Sequence, residues 1–478
     1  MPMSDGDSAK IGRQTAIAAF IVGVVVALVG AAMWKNRPRL ERIEVSQQTT
    51  YIITPTRADG WVDYPEAVDW MRRASLDAGG ANATVSLLRA LGRDALPAGS
   101  DRGALLERLK ITDAGADASV LKPLATFTGP DAPSTTEPPP ATMQWLWARC
   151  GGAADAKLPL ARIRGWLAQA EGALANLREA AHGAALYVPV SRGRHVDGIA
   201  RVNGPLLADA AHALGCAAAV KLLQGDAPAS WADVDALWRL GQLLARAASV
   251  SEYGIALEIW QTAKTATVDL VASPAASPVL LSAMAAGLSA KLGFSPATET
   301  WMFQRLAVLE ANGTPLVPLP RSGAQSGGPY ARAGTAAKLE AINQAFDDVD
   351  VALQVADPKQ RIARVDQLAQ AVAAPGGISG AVVLGGEIQA VSCHRVATLA
   401  VALARRQRDG GKLPASLAEL GGDLPKDPGS GGSFVYKPDG RQFLVYGVGG
   451  NGRDDGGDAI RDVVATAHEP PLLAAPSP

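Results

Sequence analysis

The distribution of apolar and polar positions divides the chain into three regimes. From Thr15 to Trp34 twenty residues pass without a charge, and at 1.5 Å per residue such a helix spans the roughly 30 Å hydrocarbon core of a bilayer. Beyond it, apolar residues recur at helical spacing in segments broken by proline and glycine clusters. The clearest predict helices over Leu158 to Ala181, Leu206 to Leu223, Trp231 to Ala248, Gly254 to Val271 and Ala336 to Val355. In the third, Val234, Leu237, Trp238, Leu240, Gly241 and Leu244 fall on one stripe, as in a helix that buries one face. Near the C-terminus the period shortens to two. Phe434 to Tyr436 and Phe443 to Tyr446 alternate around Pro438-Asp439-Gly440, which predicts a β-hairpin.

These regimes predict a mainly α fold: an N-terminal transmembrane helix, an irregular helical array, and a small C-terminal α+β module with a hairpin. The expected boundaries are a tail over 1–14, the membrane helix over 15–34, a juxtamembrane segment over 35–50, and a helical body over 51–375. Two exposed loops interrupt the body, one rich in proline and threonine over 128–141 and one rich in proline, glycine and serine over 315–334. The module covers 389–464, and a disordered tail follows over 465–478. No fixed repeat period marks a regular solenoid.

Composition agrees with this picture. Hydrophobic residues make up 48% of the 478, yet aromatics only 5%, because alanine, the strongest intrinsic helix former, supplies much of the apolar count. Lys+Arg 45 against Asp+Glu 46 leaves a formal net charge of -1, without the basic field that neutralises phosphates, so nucleic acid is not an expected partner. Nine tryptophans from Trp61 to Trp301 are spread along the body, which assigns them to core packing rather than to a ligand platform.

The membrane helix is too long for the apolar region of a cleaved signal peptide, and it runs into Trp34-Lys35-Asn36-Arg37 without a small-x-small cleavage site. The lipid bilayer is therefore an expected partner through residues 15–34. Lys10 and Arg13 precede the span, while Lys35, Arg37, Arg39 and Arg42 follow it. By the positive-inside rule alone, the body would face the cytoplasm.

Signatures of catalysis are sparse. Cys150, Cys216 and Cys393 form no CxxC pair, and the five histidines form no HExxH or paired-ligand spacing. Cys393 and His394 are adjacent on a predicted helix and point about 100° apart, too far for a thiol and its base. Gly447-Val448-Gly449-Gly450-Asn451-Gly452 matches GxGxxG formally, but no helix start follows it.

The C-terminal region carries the most specific pattern. Val396, Leu399, Ala400 and Leu403 define a helix stopped by Gly410-Gly411. Ser416 and Glu419 then have capping-box spacing, followed by Leu424-Pro425-Lys426-Asp427-Pro428, the hairpin, and a loop rich in glycine and aspartate from Gly449 to Asp458. This order resembles the C-terminal half of the major pseudopilins of bacterial type II secretion, over about a sixth of the chain. The resemblance implies calcium bound in the last loop. Asn451, Asp454, Asp455 and Asp458 are the candidate ligands and Asp462 a weaker one, a set of hard oxygen donors suited to Ca²⁺. It does not extend to the N-terminus, where Gly12 is followed by Arg13-Gln14-Thr15-Ala16-Ile17 instead of the family's processing site with its fifth-position Glu.

Because calcium is plentiful outside the cytoplasm, the resemblance implies a single-pass protein of the bacterial cytoplasmic membrane with its body in the periplasm. The expected role is non-enzymatic, an interaction or structural protein with an unidentified protein partner and a calcium-stabilised module. The alternatives are an envelope hydrolase using acids such as Asp347-Asp348 and Glu299, or an accessory part of secretion or pilus assembly.

Overall fold

A computed structural model describes residues 40–77, 79–96, 102–111, 120–122, 146, 160–189, 196, 202–246, 249–289, 296–313, 330–332, 334–355, 357–371, 380–440, 442–458 and 462–467. The predicted membrane helix and the loop at 128–141 lie outside these residues. In chain order the elements are β1 (Leu40–Arg42), α1 (Tyr64–Asp77), α2 (Ala83–Leu91), α3 (Arg102–Arg108), α4 (Leu160–Ala181), α5 (Gly204–Leu223), α6 (Ala227–Ala245), α7 (Val250–Ala272), α8 (Pro278–Ser289) and α9 (Pro296–Gly313). Then come β2 (Tyr330–Arg332), α10 (Thr335–Leu353), α11 (Pro358–Ala371), α12 (Gly380–Gly410), β3 (Val435–Asp439), β4 (Gln442–Gly447) and β5 (Val463–Ala467). The described fold is mainly helical, with a small antiparallel sheet at the C-terminal end. Two compact units are present, one of residues 1–62 and 312–340 and one of residues 63–311 and 341–478.

In the first unit, β1 and β2 pair antiparallel, with Leu40 opposite Arg332 and Arg42 opposite Tyr330. The stretch 315–334, expected as a loop, thus contains a strand. Trp61, 1% exposed, lies against Gly313, where a Cβ would come within 2.4 Å of the indole.

In the second unit, local sequence sets the helix starts. Asn203 caps α5 and Asp226 caps α6, each with proline in the first turn. This is why α6 begins at Ala227, four residues before the predicted start at Trp231 and seven before the apolar stripe at Val234. A complete capping box of Ser249 and Glu252 opens α7. Glu252 also receives Arg72 of α1 at 2.8 Å, and the same guanidinium lies over the Phe303 ring of α9. Helix α5 is apolar on all sides, and among the described residues it alone is long and apolar enough to cross a membrane. It is largely buried among its neighbours, as a helix without a polar face must be in a globular core.

Helix α12 is the spine of this unit. It starts at Gly380, well before the predicted 389, and is 31 residues long. Gly386 meets Tyr253, Cys393 meets Gln261 and Arg408 meets Ser273, so α12 and α7 advance together as parallel neighbours. Near its start, Val383, Leu384 and Ile388 join Trp301 of α9, Phe346 of α10 and Val365 of α11 in one apolar cluster. Farther along, the predicted stripe of Val396, Leu399, Ala400 and Leu403 is at most 1% exposed and belongs to the main core. Of the described tryptophans, Trp166, Trp231, Trp238, Trp260 and Trp301 are buried, whereas Trp70 is 41% exposed and donates to Glu66.

The predicted hairpin is present as β3 and β4, in the register Val435↔Tyr446 to Asp439↔Gln442. A third strand, β5, pairs with β4 and continues to Ala467, past the end of the predicted module. Phe434, Phe443, Val445, Val463 and Ala465 belong to the same continuous core as α2 and α4 to α8. At this junction Lys264 of α7, 5% exposed, donates from Nζ to the carbonyl of Val464 at 2.7 Å.

Candidate functional site

The C-terminal loops are organised by two buried carboxylates, Asp427 and Asp462, which are 1% and 3% exposed. Asp427 is the aspartate of the Leu424 to Pro428 segment. Its Oδ1 accepts the Gly429 N–H at 3.2 Å. Its Oδ2 accepts the Ser430 N–H at 3.1 Å, the Ser430 hydroxyl at 2.6 Å and the Val448 N–H at 3.2 Å. The first three bonds form a local turn, and the fourth ties that turn to the chain leaving β4. Such close approach requires glycine at both ends. A Cβ on Gly429 would lie 2.3 Å from the Val448 carbonyl oxygen, and one on Gly447 2.7 Å from Asp427 Oδ1. Gly447 of the formal GxGxxG pattern therefore serves close packing, and turns rather than a helix follow it over the described residues to Asp458.

Asp462 plays the same part at the far end of the loop. Its carboxylate accepts the N–H groups of Gly457 at 2.8 Å and Asp455 at 3.2 Å, and its own N–H donates to the Asp458 carbonyl at 2.7 Å. Between these two anchors lie the predicted ligands. Asn451, Asp454 and Asp458 are exposed and Asp455 is half-buried. Asn451 donates from Nδ2 to Asp455 Oδ2 at 2.7 Å. Asp454 Oδ1 accepts the Tyr446 hydroxyl at 3.0 Å and the Gly456 N–H at 2.9 Å. Burial raises the Tyr446 phenol above its ordinary pKa, and the Asp454 bond adds to the rise.

The loop thus brings all five predicted residues into one short segment, and their oxygen donors match the chemistry of calcium rather than of a soft metal. Their arrangement fits less well. Among the described residues no three His, Cys, Asp or Glu side chains are grouped to hold a metal. Asp454, Asp455 and Asp462 each have partners within the loop or on β4. The residue rated weakest from sequence, Asp462, is the one most engaged structurally.

The remaining reactive side chains are occupied by packing. Cys393 donates to Gln261 Oε1 at 3.1 Å, while His394 Nε2 meets the Leu288 carbonyl at 2.9 Å and its ring lies edge-on to Trp238. The adjacent pair therefore packs against three different helices, α7 through Cys393 and α8 and α6 through His394. Burial pushes the Cys393 thiol up to about 11 and Cys216 up to about 12, so neither forms a thiolate near neutrality. His212, 5% exposed, lies 3.5 Å from Glu258, and burial lowers its pKa. His182 is exposed, and Cys150, His195 and His468 lie outside the described residues. Asp347 binds Arg305 at 2.8 Å, whereas Asp348 accepts from Gln344 at 3.0 Å, so the acidic pair is divided between partners.

Sequence reasoning missed Asp427 as an organising residue and Lys264 as the tie to β5. The Asp-Pro-Gly-Ser order carries a turn signal that could have found the first. Nothing local marks Lys264. Compared with family models, with curated proteins and with solved structures, the chain matches none of them.

Proposed function

We propose that this chain is a membrane-anchored structural or interaction protein of the bacterial envelope. Residues 15–34 hold it in the cytoplasmic membrane, its helical body lies in the periplasm and engages a protein partner, and calcium stabilises its C-terminal loop. The observation that carries this reading is the continuity of the core from the helical bundle into the C-terminal sheet. A sheet fused to its bundle through Lys264 and α12 suits a rigid scaffold. The occupation of Cys393, His394, Asp347 and Asp348 by packing partners supports the same reading over a hydrolase.

Asn451, Asp454, Asp455 and Asp458 are the residues that would hold the cation, with Asp462 keeping the backbone of the loop in place. Calcium binding would neutralise acids that now accept hydrogen bonds from Asn451, Tyr446 and backbone N–H groups of the loop. The location is tested by adding protease to intact spheroplasts. Digestion of the body from outside is the expected result; digestion only after lysis would place it in the cytoplasm, as Lys35, Arg37, Arg39 and Arg42 taken alone would have it.

A further inference from the structure

Helix α5 is apolar on all sides, yet it carries a titratable ring near its middle. His212 is 5% exposed and lies between Ala210, Ala211, Ala213 and Leu214, none of which is more than 1% exposed. Its Nε2 faces Oε1 of Glu258 on α7 at 3.5 Å, beyond the range of about 2.7–3.2 Å for a formed N–H···O bond. Its Nδ1 is buried and has no hydrogen-bond partner among the described residues. A histidine kept for packing alone is expected to have its buried nitrogens satisfied. This ring leaves one orphaned and holds the other at a stretched distance.

Protonation converts the ring to a donor at both nitrogens. Whichever tautomer the neutral ring adopts, the imidazolium has an N–H at Nδ1 without an acceptor and a full charge among alanine and leucine side chains. Burial lowers the His212 pKa, and it outweighs the two acids that act on the ring among the described residues. These are Glu258 across the seam, its side chain 47% exposed, and exposed Asp209 one turn earlier on α5. Of the other helices on α5, α6 brings Asp233, which with Arg178 of α4 meets α5 at Lys221, nine residues farther on. The single charged residue of α2, Arg89, is exposed.

We propose that His212 and Glu258 form an acid-sensitive clasp between α5 and α7: the uncharged ring completes the core at neutral pH, and its protonation loosens α5 from the bundle. The opened ring takes up a proton near pH 6.5, its ordinary value, and the packed ring only at lower pH. Opening is therefore favoured as pH falls below about 6.5. The clasp depends neither on the anchor nor on calcium.

The test is hydrogen exchange of the full chain, read as amide protection factors at pH 7.5 and pH 5. The expected result is that α5 amides lose about tenfold more protection than α12 amides on acidification, and that this difference is absent from His212→Gln. No loss in α5, a loss shared equally by α12, or the same difference in His212→Gln overturns the clasp. Should His212→Gln fail to fold, the wild type still decides. Its His212 ring, followed by NMR, should titrate below pH 6.5, and a midpoint at or above that value overturns the proposal.

Discussion

Asp427 accepts four hydrogen bonds at 1% exposure, three of them from backbone N–H groups. Replacing it with alanine strands those donors in a site closed to water, at about 3 kcal/mol. Asp427→Ala should therefore lower the melting temperature by several degrees, whereas substitution of exposed Asp439 should leave it unchanged. Asp269 offers a second test at this scale. Burial raises its carboxyl to about 7, against the pull of Lys264. The folded state thus keeps a proton that the unfolded chain releases near pH 4, so its contribution to stability is full below that pH and is lost as pH rises to about 7. The advantage of Asp269→Asn over the wild type should grow by several degrees of melting temperature from pH 5 to pH 7.5. His212, lowered by burial, acts in the opposite sense over part of this range, which is why the comparison is made against the Asn variant. Which aspartate becomes a keystone was not legible in the sequence, because Asp427, Asp454 and Asp462 differ in burial only once the strands have packed.

Among the elements, the helices read well from sequence, since a one-sided apolar stripe is a property of the helix itself. Their ends shifted where a cap and a proline acted outside the stripe, as at Asp226 and Pro228. The strands read in proportion to how local their pairing is. β3 and β4 were visible because a turn joins them, whereas β5 and the β1–β2 ribbon depend on partners far along the chain. Between helices, ion pairs to a buried acid accompany the apolar packing. Asp233 of α6, 0% exposed, binds Arg178 of α4 and Lys221 of α5, each at 2.6 Å. The two cations retain some access to solvent, so loss of the acid can be offset by hydration, whereas loss of a cation leaves a buried charge undercompensated. Arg178→Met should accordingly cost about 3 kcal/mol and Asp233→Asn about 1–2 kcal/mol in urea unfolding.

At the scale of the whole molecule, the main gain over the sequence pattern concerns the C-terminal region. Its sequence pattern predicts a small module of its own, yet in three dimensions the sheet shares its apolar side with the helical bundle, and α12 runs through both apolar clusters. The proposed calcium stabilisation of the loop should therefore be felt by the second unit as a whole, because the loop is bounded by Asp427 and Asp462 and leads into β5 on α7. The most direct test is thermal unfolding of the full chain with millimolar calcium and with chelator, followed by a probe of overall helix content. The expected result is a rise in melting temperature of several degrees with calcium that is absent from Asp455→Asn with Asp458→Asn. Identical melting of the wild type in calcium and in chelator would contradict the proposed calcium-stabilised scaffold.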